Sequence, residues 1–96
     1  MYYDIRNVPY EYEQLKECCE QSKWEEALIH YKSMMDNYEN ADNEYIFSNF
    51  NSPITIGSLE FDDNGKEAMI EHDYPSINEM LRYADRMYNK IKRKLK

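Results

Sequence analysis

The chain has 96 residues, 19 of them acidic and 12 basic, for a formal net charge of −7. That length is one domain, burying roughly 65% of its surface on folding, which allows one modest core and excludes a deep cleft flanked by a second domain. All nineteen acids lie in residues 1–89 with only seven bases, so an acidic body that repels nucleic acid and anionic membranes is expected, with no direct DNA binding.

The first helix is expected from about Pro9 to Gln21, with Asn7 as N-cap and Pro9 in the first turn, where proline is tolerated. Tyr12, Leu15, Cys18 and Cys19 supply its apolar face. Adjacent cysteines do not easily meet disulfide geometry, and no CxxC or Cys/His ligand spacing accompanies them. They read as reduced, packed thiols of a cytosolic protein. The second helix opens at Ser22-Lys23-Trp24-Glu25, which has the form of a capping box. Trp24, Ala27, Leu28, Tyr31, Met34, Met35 and Tyr38 then recur at helical spacing.

Beyond the Asn/Asp-rich segment 37–43 the period changes. Glu44–Phe50 reads as a strand, and Ile54–Phe61 and Lys66–Asp73 flank Asp62-Asp63-Asn64-Gly65 as a β-hairpin with glycine at a positive φ. Pairing Phe61 with Lys66 sets Leu59 against Ala68 and Gly57 against Ile70 as the buried face. It also sets Glu60 directly against Glu67, a like-charge pair that destabilises a sheet and calls for some other purpose, such as a basic partner. A second capping box, Ser76-Ile77-Asn78-Glu79, opens a long terminal helix with the stripe Ile77, Met80, Leu81, Ala84, Tyr88, Ile91 and Leu95. Lys90, Lys92, Arg93, Lys94 and Lys96 near its end complement the helix dipole. The expected fold is α+β and a single domain over 1–96: two N-terminal helices, a small antiparallel sheet of about three strands with a hairpin at 62–65, and a long C-terminal helix.

Few residues suggest chemistry. Glu60, Asp62, Asn64, Gly65 and Glu71 echo the spacing of an EF-hand calcium loop. The first position holds Glu where the motif has Asp, the eighth holds charged Glu67, and the flanks read as strands, so the hairpin reading prevails. His30 and His72 are the side chains suited to proton transfer near neutral pH. Glu71 and Asp73 flank His72, but neighbours on a strand point to opposite faces. Both histidines are therefore expected at the surface or an edge. No nucleophile with a spaced partner is evident, and no enzyme activity, cofactor or metal is expected. The N-terminus lacks a basic, apolar leader and no run of 18 apolar residues occurs, so a cytoplasmic location is expected, the host cell's cytoplasm if a phage encodes the chain.

Residues 22–31, with Trp24, Ala27 and Tyr31 at packing positions, resemble the second half of a tetratricopeptide repeat. The first half departs: Leu15 stands where the repeat has a small glycine, and Glu39 where it has its closing proline. One partial repeat cannot stack into a solenoid, so the segment reads as a convergent αα-hairpin. Taken at face value, the resemblance implies a protein-interaction role. Two features point the same way. Glu60, Asp62, Asp63, Glu67, Glu71 and Asp73, together with Tyr74, form the candidate partner-binding set on the hairpin. Ten tyrosines include several off the core stripes (Tyr2, Tyr3, Tyr10, Tyr74, Tyr83), and tyrosine is favoured at interfaces. In size and charge the chain resembles phage-encoded inhibitors of host defence, anti-CRISPR proteins above all, a resemblance of class that rests on no motif. It implies a non-catalytic inhibitor docked on the basic nucleic-acid-binding surface of a larger protein. The alternatives are an immunity protein against a toxic nuclease and a small homodimeric regulatory adaptor.

Overall fold

A computed structural model of the chain describes residues 3–41 and 50–96. Three helices and a two-stranded antiparallel sheet follow in the order α1 (Asn7–Glu20), α2 (Trp24–Asn40), β1 (Ile54–Phe61), β2 (Glu67–Tyr74) and α3 (Ile77–Lys94). The α+β architecture agrees with the sequence. The expected third strand, Glu44–Phe50, lies outside the described residues except for Phe50, which sits in a turn.

The start of α1 differs in detail from expectation. Asn7 is inside the helix, and its side-chain amide donates to Asn37 Oδ1 on α2 at 3.2 Å. The entry is organised by buried Asp4, whose carboxylate accepts from the Arg6 amide at 2.8 Å and from the Arg6 guanidinium. The Asp4 amide in turn donates to Asn37 Oδ1 at 3.1 Å, so one buried asparagine fixes the chain entry against α2.

The α1–α2 connection overturns the first capping box. Ser22 adopts φ +58°, the left-handed region. The Lys23 amide reaches back to the Cys18 carbonyl at 2.9 Å and the Ser22 amide to the Cys19 carbonyl at 3.3 Å. These are the paired bonds of a Schellman motif, with Ser22 in the place glycine usually takes. The serine is thus committed to closing α1, and α2 begins from Lys23 without a side-chain cap. The second capping serine behaves as expected: Ser76 Oγ accepts from the Glu79 amide at 3.2 Å at the head of α3.

Apolar positions at helical spacing converge between the three helices. Leu15 and Cys18 of α1, Ala27 and Met34 of α2, and Met80, Ala84 and Ile91 of α3 are buried together with Ile5, Val8 and Ile77. Each large aliphatic side chain withdrawn from water this way contributes about 1.5–3 kcal/mol. Aromatics close the rim: Tyr12 meets Tyr83 edge-on at 5.4 Å, and Tyr31 stacks on Tyr88 at 4.5 Å. Leu95, expected on the stripe of α3, lies past its last turn and is exposed. No described helix is long and apolar enough to cross a membrane.

The hairpin adds only its base to this core. Ile54 is buried, and Ile56 and Tyr74 pack against the cluster. From Leu59 through Glu71 every residue is exposed.

Ser22→Gly should raise the unfolding free energy by about 1 kcal/mol, because an L-residue pays roughly that much in the left-handed region. Ser76→Ala should lower it by about 1 kcal/mol through loss of the helix cap. Urea unfolding followed by circular dichroism measures both, and a Ser22→Gly variant no more stable than the parent would contradict the assigned role of Ser22.

Candidate functional site

The outer hairpin is shaped by its turn. The Asp62 amide donates to the Lys66 carbonyl at 3.0 Å and the Gly65 amide to the Asp62 carbonyl at 2.9 Å. Gly65 takes φ +75°, a conformation that suits glycine. This is a three-residue loop, a tight turn followed by a left-handed glycine. The Asp62 carboxylate braces it, Oδ1 accepting from the amides of Asn64 and Lys66 at 2.9 Å each.

Because Asp62 pairs with Lys66, the register is one residue away from the expected one. Phe61 faces Glu67, Leu59 faces Met69, and Gly57 faces Glu71. A one-residue slip re-pairs every cross-strand neighbour. Two expectations therefore fail. Glu60 stands opposite Ala68, so the like-charge pair with Glu67 does not exist. Leu59 and Gly57 belong to an exposed face, and the partners assigned to them, Ala68 and Ile70, lie on the other face.

One face of the hairpin carries Leu59, Phe61 and Met69, which are 56%, 67% and 67% exposed, interleaved with Glu67, Glu71 and Asp73. The Met69 side chain lies over Gly57, where a Cβ would come within 3.1 Å of its sulfur. The opposite face carries Glu60, Ala68, Ile70 and His72. The candidate carboxylates are thus gathered on one arm but divided between its faces and tip. Their tasks also differ. Asp62 holds the turn, and Asp73 accepts from the Thr55 hydroxyl at 2.9 Å. Asp63, Glu67 and Glu71 form no ion pair or hydrogen bond among the described residues. Tyr74 stands at the base, half-buried, and its hydroxyl donates to Glu13 Oε2 at 3.0 Å, tying the arm to α1. Burial, and then that hydrogen bond, raise its pKa above the usual tyrosine value.

Sequence reasoning missed a cluster on the second face. His72 Nε2 lies 3.1 Å from both Ser58 Oγ and Glu60 Oε2, and the Ser58 hydroxyl donates to the same Glu60 oxygen at 2.9 Å. With the correct register, the parity of 58, 60 and 72 places them together. The set shares residue types with a hydrolytic triad but differs in wiring. In a triad the acid holds the imidazole nitrogen remote from the serine, whereas here one nitrogen meets both partners. The hydroxyl is turned to the carboxylate, and the His72 and Glu60 side chains are 41% and 46% exposed. The arrangement orders the arm instead. Donation from Ser58, and next from His72, holds the Glu60 carboxyl below its usual pKa.

His30, expected at the surface, is half-buried, with Nδ1 at 2.7 Å from Glu11 on α1. Of the tyrosines off the core stripes, Tyr10 is exposed, Tyr3, Tyr74 and Tyr83 are half-buried, and Tyr2 lies outside the described residues. Tyr83 is pushed up to about 12 by burial and by the neighbouring Cys19. Cys18 and Cys19 are free, and burial raises both thiols. A raised thiol is a poor nucleophile near neutral pH. Lys92, Arg93 and Lys94 fill the last turn of α3. Lys90 and Lys94 lie over the Trp24 ring at 5.5 and 5.9 Å, and Lys92 over Tyr88 at 4.7 Å.

A depressed carboxyl stabilises the fold above its unfolded pKa, and that contribution is lost as pH falls through the folded value. The Glu60 carboxyl, followed by NMR, should therefore titrate below the ordinary glutamate range, and Ser58→Ala should move its midpoint upward. A midpoint that ignores Ser58→Ala would show that the hydroxyl is not its principal partner.

Comparison with protein-family models, with curated proteins and with solved structures finds no match to this chain.

Proposed function

We propose that this chain is a small acidic binding protein without chemistry of its own, docking its outer hairpin on the basic nucleic-acid-binding surface of a larger protein. The observation that carries this reading is the arm itself, whose exposed apolar side chains are interleaved with carboxylates on a projection the core does not need. An exposed Phe, Leu and Met so close together suit a contact surface better than solvent. Six carboxylates against the single Lys66 between Ile54 and Tyr74 would speed the approach to a cationic groove. The setting we favour is inhibition of a nuclease-based defence system, in the manner of the anti-CRISPR proteins that the chain resembles in size and charge. An immunity protein against a toxic nuclease would rest on the same physics with a different target. The homodimeric adaptor has less behind it, because among the described tyrosines proposed for it only Tyr10 is exposed.

Asp63, Glu67 and Glu71 are the residues to test, since Asp62 and Glu60 also hold the hairpin together. Tagged protein incubated with a bacterial lysate containing such a defence system should capture a large basic nucleic-acid-binding protein at low salt and release it at high salt. Simultaneous reversal of Asp63, Glu67 and Glu71 to lysine should slow association with the captured protein by about tenfold or more while leaving the circular dichroism unchanged. Capture of no basic protein, or an association rate untouched by the reversal, would overturn the reading.

A further inference from the structure

The backbone of the hairpin carries information that its side chains do not. Asp62 and Lys66 are a hydrogen-bonded pair, since the amide of one donates to the carbonyl of the other. Bonded and non-bonded pairs alternate along an antiparallel ladder. With the observed register, the pairs at Glu60, Ser58 and Ile56 are then bonded within the hairpin. Those at Phe61, Leu59, Gly57 and Thr55 are not, so their partners Glu67, Met69, Glu71 and Asp73 direct amide and carbonyl groups outward, away from β1. Among the described residues no third strand covers that edge. A two-stranded hairpin is marginal by itself, and a strand added at its edge supplies further backbone partners.

We infer that the outer edge of β2 accepts an extended, basic segment of the partner as a third strand. The inference rests on the proposed binding role and names how the arm would do it. The four residues with outward backbone groups also place their side chains on one face, in the order carboxylate, methionine, carboxylate, carboxylate. Side chains directly opposite in neighbouring strands interact, opposite charges favourably. The matching segment therefore presents Lys or Arg against Glu67, Glu71 and Asp73 and an apolar residue against Met69. Its other face meets Ala68 and Ile70 with small or apolar side chains. The β1 edge lacks this code, because Thr55, Gly57, Leu59 and Phe61 carry no charge. A second copy of the chain is the poorer occupant, since a β2-to-β2 pairing would bring the same carboxylates together, and charged edge residues discourage such pairing.

The test uses the full chain, labelled with 15N, and the blocked peptide Lys-Thr-Lys-Val-Leu-Thr-Lys, written in the order that runs antiparallel to β2. Hydrogen exchange at the amides of Met69 and Glu71 should slow by about tenfold or more on saturation, while that at Leu59 should not change. The same peptide N-methylated at its leucine and central lysine keeps every charge and side chain but loses two edge amides, and it should bind at least about tenfold more weakly. Equal binding of the methylated peptide, protection on β1, absence of binding, or a dimer in solution that buries the β2 edge would each overturn the inference. Met69→Pro removes one outward amide without touching the bonds of the hairpin. If parent and Met69→Pro proteins capture a basic partner equally from the lysate, strand addition fails and the binding role stands. If the parent captures none, the role beneath it fails as well.

Discussion

Which side chains of the arm meet each other across the strands is decided by the three-residue turn Asp63–Gly65, braced by one carboxylate. Asp62 accepts from two amides of the loop and pairs its own backbone with Lys66. A turn one residue longer would pair Phe61 with Lys66 and re-pair every residue beyond it. The consequences run the length of both strands: Leu59 beside Met69, Phe61 beside Glu67, and Ser58, Glu60 and His72 within one hydrogen-bonded group. Asp62 thus owes its place in the sequence to the turn first and to surface charge second.

The helical body shows a comparable economy. Asn37 receives the amide of Asp4 and the side chain of Asn7 while donating to the Ser33 carbonyl at 2.8 Å, so one buried amide satisfies groups from the chain entry, α1 and α2. At the far end the terminal lysines rest over Trp24 and Tyr88, where ring faces attract cations and the aliphatic stems cover apolar surface. The basic tail is therefore integrated with the aromatic rim, and charge separates between a cationic end of α3 and an anionic arm.

Much of this was legible in the sequence, for identifiable reasons. The periodicity of Leu15, Met34, Met80, Ala84 and Ile91 located the core because apolar spacing on a helix leaves one solution. Gly65 located the hairpin because few other residues take its backbone angles. Register was not legible, since loops of three and four residues both fit Asp62-Asp63-Asn64-Gly65, and the difference lies in hydrogen bonds. Ser22 misled for a related reason: its side chain suits a cap, but the glycine-poor chain needed a residue to close α1 at the same place. The carboxylates of the arm were legible as a group, but not the split between those that hold the hairpin and those with no partner among the described residues. The apolar face beside them was hidden for the same reason: only the observed register sets Leu59 against Met69 on an exposed face.

The arm is joined to the body without slack. Only Pro75 and Ser76 separate β2 from α3; the proline ring restricts one torsion and the serine is fixed by its cap. Four residues ahead of β1, the Phe50 carbonyl accepts from the Asn78 amide at 3.0 Å, inside the first turn of α3. Tyr74 adds the tie to Glu13. Arm and α3 thus behave as two limbs of a bracket. Anything that grips the arm also fixes the bearing of the helices behind it, with little further loss of rotational freedom. A bracket of this kind would act beyond its own footprint, holding the bulk of the helices at a set angle over whatever lies next to the contact.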